Sequence, residues 1–272
     1  MPMTAATCSI AQTFAQLRQR NQIAFMPFVP AGYPDLNTTI ATLPALEAAG
    51  ANIIEIGIPF SDPIADGPTI QAAFTAALAK KLKLADVFAT VKAARPTVSI
   101  PLVAMVSYSI VFRYGLDRFL TAAKDAGFDG LILPDLPPPE AQGIVERVQG
   151  AGLDTILLVA PTTTANRRRE IGRLSSGFVY YLSVTGITGE RDQLPPELAE
   201  GVRNMKSLTD CPVCVGFGIS QPHHVAQLQG IADGAIVGSA VVKRMKQHEN
   251  EGAPAIAEAV GAYCRELLKD AR

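Results

Sequence analysis

Asn52-Ile53-Ile54-Glu55-Ile56-Gly57-Ile58-Pro59-Phe60-Ser61-Asp62-Pro63-Ile64-Ala65-Asp66-Gly67 sets a carboxylate inside an apolar run, then breaks the run with glycine and proline. A short stretch of β-branched residues without polar alternation reads as a strand buried on both faces, the pattern of a parallel sheet. Glu55 interrupts it near its end. An unpaired buried carboxylate costs several kcal/mol, so either its pKa rises or a cation or backbone amide pairs with it. The next segment is too rich in proline and Asp to extend the strand and reads as a loop at its carboxyl end. In α/β folds that end carries the chemistry.

Outward from this strand the pattern repeats. Short apolar runs near 24–29, 52–57, 101–106, 129–134, 154–159, 178–183, 212–216 and 234–238 make eight strands, the first with an internal proline that a central strand tolerates poorly. Helical spacing separates them, as in Leu43 and Leu46, in Ile70, Phe74 and Leu78, and in Leu116, Phe119 and Leu120. Eight strands with helical crossovers fit a closed (β/α)8 barrel that leaves no edge exposed. The open doubly wound sheet is the alternative, but no glycine-rich nucleotide fingerprint follows the first strand. A helix over residues 7–20, with Ile10, Phe14 and Leu17 on one face and a Ser or Thr cap, precedes every strand and is expected to cover the barrel bottom. Gly50 and Gly127 sit where helices should end, and Ile256, Val260, Tyr263, Cys264 and Leu267 mark a final helix. With no linker or shift of composition, residues 1–272 are expected to form one barrel domain.

Bulk properties narrow the function. Of 272 residues, 48% are hydrophobic and 18% charged, enough for a large core and too little charge for disorder. A net charge of -1 leaves no electrostatic footprint for nucleic acid or an anionic membrane. Met1–Ala6 does not read as a secretory signal, and no apolar run approaches a membrane span. Cys8, Cys211, Cys214 and Cys264 are too scattered for a disulfide framework and fit a reducing cytoplasm.

Two groups of residues can carry chemistry. Glu55 and Asp66 are the acid/base candidates; the plainer alternatives are an ion-paired Glu55 and an Asp66 that bonds local turn amides. Ile54 and Ile56, the neighbours of Glu55, are expected to raise its pKa by desolvation. The second group is Val184–Gly189, Gly216–Ser220 and Gly238-Ser239, three glycine-bearing segments after strands six, seven and eight. Backbone N–H groups in such loops, with a helix starting at Gly238 or Ser239, suit a phosphate. Residues 185–195 combine glycines, charges and prolines, as a lid over a bound substrate would. Cys211-Pro-Val-Cys214 has redox spacing but runs into a strand, so no helix N-terminus activates a thiolate. His223-His224 lacks further ligands at metal spacing and reads as solvated or capping, and Arg167-Arg168-Arg169 as a solvated helix face.

The run Ile54-Glu55-Ile56-Gly57-Ile58-Pro59-Phe60-Ser61-Asp62-Pro63-Ile64-Ala65-Asp66-Gly67-Pro68-Thr69-Ile70-Gln71 closely resembles the signature of the tryptophan synthase alpha subunit family, and the resemblance extends over nearly the whole chain. It implies a cofactor-free lyase that cleaves indole-3-glycerol phosphate to indole and glyceraldehyde 3-phosphate. By this resemblance Glu55 is the catalytic acid/base and Asp66 contacts the indole nitrogen. Gly189, Gly218, Gly238 and Ser239 match phosphate contacts, with Gly216 in the same group of loops. Phe28, Ile70 and Tyr180 match the indole pocket, and Thr188 positions Asp66 when the lid closes. The family's partner is a pyridoxal-phosphate beta subunit that receives indole through a tunnel, in an alpha2beta2 heterotetramer. No cofactor is expected in this chain itself. The implied location is the cytoplasm, or the plastid stroma in a photosynthetic eukaryote. Docking is expected at the 59–66 loop and at Leu136-Pro137-Pro138-Pro139. The chain departs from many members at Ser109, where Asn is common, and at Val184, where a basic residue is common. Three rivals stand beside this reading: a stand-alone lyase that releases free indole, a non-catalytic ligand-binding subunit that activates a partner, and a phosphosugar isomerase or epimerase that shares the phosphate site.

Overall fold

Eight parallel strands close on themselves in sequence order, the last pairing back to the first, so the open sheet is excluded. The computed structural model describes residues 8–62, 66–136, 140–182, 197–216 and 218–270. The strands are β1 (Ala24–Pro30), β2 (Ile54–Gly57), β3 (Leu102–Met105), β4 (Gly130–Ile132), β5 (Asp154–Val159), β6 (Val179–Leu182), β7 (Val213–Gly216) and β8 (Gly234–Val237). All eight lie where the apolar runs place them. The proline in β1 is accommodated by register. Ala24–Pro27 pair with β8 and Phe28–Pro30 pair with β2, so Pro27 stands where the strand changes partners.

Alternation along the strands separates two apolar layers. Ile53, Val103, Ile132, Ile156, Phe178 and Ile236 fill the barrel interior, while Ile54, Ile56, Leu102 and Ala104 pack outward against the helices. Those helices include α2 (Leu36–Ala49), α3 (Pro68–Ala79), α4 (Leu84–Ala94), α5 (Tyr108–Tyr114) and α6 (Leu116–Ala126). They continue through α7 (Ala141–Gly150), α8 (Ala165–Leu174), α9 (Leu198–Lys206), α10 (Pro222–Leu228), α11 (Ser239–Gln247) and α12 (Ala253–Leu267). Gly50 and Gly127 end α2 and α6 at φ of 106° and 95°, a conformation costly for residues with a Cβ.

The N-terminal helix α1 (Ile10–Gln19) closes the bottom, as its spacing predicts. Ser9 and Gln12 cap it reciprocally, and Ile10, Phe14 and Leu17 join the interior layer, with the Phe14 and Phe178 rings 6.1 Å apart. Around this lower rim, side chains that precede the even-numbered strands accept the N–H of an early residue in the preceding odd strand. Asn52 Oδ1 accepts from Phe25, Asp129 Oδ2 from Leu102, Ser176 Oγ from Thr155 and Asp233 Oδ2 from Val213, all within 2.8–2.9 Å. Arg95 and Lys206 add charge pairing to Asp129 and Asp233 at 3.3 and 3.0 Å.

Two surface readings change in detail. Arg168 is not simply solvated. Its Nε donates to the Thr163 carbonyl at 3.0 Å, and its two terminal nitrogens bond the Pro161 carbonyl and Asn204 Oδ1, both at 2.9 Å. This pins the turn after β5. His224 is fully buried and takes the capping role rather than the solvated one, since its Nδ1 accepts the Ser220 N–H at 3.2 Å. No described helix is long and apolar enough to cross a membrane.

Candidate active site

Glu55 stands at the third from last position of the β2 segment that ends in Gly57, and alternation turns it into the barrel. It is 2% exposed, and among the described residues its Oε2 has no hydrogen-bond partner. Burial pushes its pKa up to about 8, and the nearby charge of Asp66 adds to the rise. Ile54 and Ile56 are not the source of that burial. They face the helices, as adjacent positions on a strand must, and the dry surroundings of Glu55 come from inward side chains of other strands.

Asp66 borders the same space. It precedes Gly67, the N-cap of α3, and Pro68, the first residue of that helix. Gln71, one turn into α3, donates from Nε2 to the Asp66 carbonyl at 2.7 Å and from its backbone N–H to the Gly67 carbonyl at 3.0 Å. The Asp66 side chain is 8% exposed, and burial raises its pKa to about 6. At neutral pH the pair therefore divides roles, with Glu55 mostly protonated and Asp66 mostly ionised.

Glu55 and Asp66 border a cavity lined also by the side chains of Phe28, Ile70, Met105 and Tyr180 and by Gly218, Ile219, Gly238, Ser239 and Ala240. Asp66, Met105 and Tyr180 also line a second, largely apolar cavity of about 250 Å³, with Ile58, Phe60, Phe74, Val106, Ile132 and Leu158 around it. Gly218 has φ of +88°, and Gly238 caps α11, whose first turn exposes N–H groups without intrahelical partners. These backbone groups can hold an anion, with the helix dipole assisting.

Glu55, Asp66, Phe28, Ile70, Tyr180, Gly218, Gly238 and Ser239 therefore meet around one cavity. Gly216 does not line it. A Cβ on Gly216 would stand 2.4 Å from Cε1 and Oη of Tyr180, so this glycine makes room for the tyrosine. Gly57 does the same for Phe28, whose Cζ would lie 2.4 Å from an added Cβ. Thr188, Gly189, Val184 and the 185–195 segment lie outside the described residues, as do 63–65 and 137–139 of the two expected docking loops.

Met105, Ile132 and Leu158, and the polar mouth formed by Ser107 and Asp135, are lining residues that sequence reasoning missed. Ser107 Oγ donates to Asp135 Oδ2, and the Tyr108 N–H to Asp135 Oδ1, both at 2.6 Å. Ser109 donates its N–H to Ser107 Oγ at 3.3 Å, so its departure falls beside this mouth. The signal was available in principle, because each of the first six strands sends an inward side chain to the cavity from near its carboxyl end.

Among the described residues no group of three or more His, Cys, Asp or Glu side chains is placed to hold a metal. Burial pushes the Cys211 thiol up to about 12 and that of Cys214 well above its usual range, which argues against a redox pair.

The profile of the family described as "Tryptophan synthase alpha chain" matches residues 14–271. The chain belongs to that family. It is 45% identical over 261 residues to the tryptophan synthase alpha chain of Rippkaea orientalis, covering 95% of this chain and 96% of that one. It is 46% identical over 260 residues to the alpha chain of Chloroflexus aurantiacus, covering 95% and 97%. Among solved structures, tryptophan synthase from M. tuberculosis in an aminoacrylate-bound form superposes with a TM-score of 0.85 at 36% identity, over 97% of this chain and all of that one. A mutant tryptophan synthase alpha-subunit from Pyrococcus furiosus gives 0.83 at 38% identity, covering 91% and 98%. Membership carries the alpha-subunit role in tryptophan biosynthesis and a carbon–carbon lyase activity, the cleavage of indole-3-glycerol phosphate.

Proposed function

We propose that Glu55 and Asp66 divide the lyase chemistry between them. The bond to be broken joins indole carbon 3 to the hydroxyl-bearing first carbon of the glycerol chain. Its electron pair needs an acceptor. A protonated Glu55 supplies one by giving its proton to carbon 3, which turns the ring into an iminium. The ionised Asp66 accepts a hydrogen bond from the ring N–H and stabilises the positive charge that develops there. Glu55, now a carboxylate, takes the proton of the glycerol hydroxyl. The carbon–carbon electrons flow into the iminium, and indole and glyceraldehyde 3-phosphate separate with no net change in the protonation of Glu55.

In this reading Gly218, Gly238 and Ser239, joined by Gly189, hold the phosphate, and Phe28, Ile70 and Tyr180 hold the indole against the apolar chamber. Thr188 acts on Asp66 from the lid. The chain works without a cofactor of its own, in the cytoplasm, as the alpha subunit of an alpha2beta2 assembly in which pyridoxal phosphate belongs to the beta subunit. One observation carries the proposal: a buried Glu55, with a raised pKa and an oxygen that has no partner among the described residues, faces a cavity that Gly218 and the start of α11 also line.

The test is indole release from indole-3-glycerol phosphate by the purified chain and by Glu55→Gln, each with and without a tryptophan synthase beta subunit. Activity that the partner accelerates, and that the variant loses in both conditions, supports the reading. Fast turnover that the partner leaves unchanged points to a stand-alone lyase, and retained turnover in Glu55→Gln removes that residue from the mechanism.

A further inference from the structure

We propose that His224 is a positioning residue for the anion-binding end of the cavity, acting on it through the peptide units of Ser220 with Tyr263 as its counterpart. The proposal rests on the reading that this end holds the substrate phosphate. Gly218 and Ile219 line the cavity, and Ser220 comes directly after them. Gly218 lies at φ +88°, where glycine has freedom that other residues lack, so its own backbone does not fix how its amide points. The orientation has to come from the contacts of the next residues in the loop. Ser220 is gripped on both sides: its N–H donates to Nδ1 of the fully buried His224 at 3.2 Å, and its carbonyl accepts from the Tyr263 hydroxyl at 2.8 Å. To accept there, the imidazole must carry its proton on Nε2.

Tyr263 connects this loop to the other half of the anion site. The guanidinium of Arg244 lies 4.9 Å from the centre of its ring, and Arg244 belongs to α11, the helix that begins at Ser239 on the cavity. The loop after β7 and the helix after β8 are thus tied together from behind by α10 and α12, away from the carboxylates. A backbone amide holds an anion only while its N–H points at it, and a misplacement of about 1 Å can cost on the order of 100-fold. A brace on Ser220 should therefore govern phosphate affinity without touching the proton transfers.

The experiment compares KM and kcat for indole-3-glycerol phosphate, and competitive inhibition by glycerol 3-phosphate and by indole, in full-length wild type, His224→Leu, His224→Asn and Tyr263→Phe. His224→Leu should raise KM and the glycerol 3-phosphate inhibition constant together by about tenfold. Its kcat should stay within about twofold and its indole inhibition unchanged. Asn places Oδ1 near the position of Nδ1, so His224→Asn should recover most of the loss, whereas a purely space-filling role would favour Leu. Tyr263→Phe, which keeps the ring and loses only the hydroxyl, should move the same two constants by about threefold. Equal weakening of both inhibitors, or no change in either, overturns the proposal. Ser239→Asp, which sets a carboxylate at the same end, separates the two layers of argument. If it abolishes glycerol 3-phosphate inhibition while His224→Leu does not affect it, only the brace falls; if neither variant affects it, the phosphate site falls too.

Discussion

The two ends of the barrel treat their carboxylates in opposite ways. At the bottom, Asp129 and Asp233 each accept a strand N–H at 2.9 Å and face a cation, Arg95 or Lys206. At the top, Glu55 is more deeply buried than either and has an oxygen with no partner among the described residues. One end uses acidic groups to hold strands in register, and the other keeps an acid poised at a stability cost. The arrangement matches the general division of such barrels, with stability residues below and reactive ones above.

Removing the top acid should give the largest effect. Glu55→Gln keeps the shape and removes the proton donor, so kcat should fall by about 10²–10⁴-fold, with the far-ultraviolet spectrum and the Tm unimpaired. A bottom acid should show the reverse. Asp233→Ala should lower unfolding stability by about 1–3 kcal/mol, because the Val213 N–H and Lys206 both lose their partner, while the kcat of the folded protein stays at wild type. Loss of activity out of proportion to loss of fold would break the contrast. Gly216→Ala sharpens it from the side of packing. The added methyl overlaps the Tyr180 ring, so it should cost about 1–3 kcal/mol and raise KM together, and Tyr180→Ala in the same chain should return part of the lost stability. The smallest effect expected is on the pH profile. With Glu55 needed protonated and Asp66 ionised, kcat/KM should peak between the pKa values of about 6 and about 8, and Asp66→Asn should flatten the acid limb of whatever activity is left.

Much of the fold is legible in the sequence because the barrel's signals are local. An uninterrupted β-branched run needs no partner to be read as a buried strand, and Gly50 and Gly127 mark helix ends within a few residues of themselves. Glu55 is legible for the same reason, as a charge where the pattern allows none. The features that stay hidden depend on distant residues. The Asp129 cap reaches back 27 residues to Leu102, and the roles of Gly57 and Gly216 are set by rings on neighbouring strands. Adjacency in sequence assigns the desolvation of Glu55 to Ile54 and Ile56, although a strand turns such neighbours away. His224 gives no sign of burial, since its partner Ser220 becomes visible only once α10 is folded against the loop.

The central claim is that Glu55 is kept buried for chemistry, with one oxygen unpartnered among the described residues, and stability as a function of pH tests it most directly. Its folded pKa of about 8 lies above the unfolded value near 4.5, so the folded state binds more protons between them and loses stability as pH rises through that window. Denaturant unfolding of wild type and Glu55→Gln from pH 5 to 9 should show the variant gaining on the wild type with rising pH, by on the order of a few kcal/mol, and levelling above about pH 8. A stability difference that stays constant over that range would mean that Glu55 titrates normally, and would contradict the account.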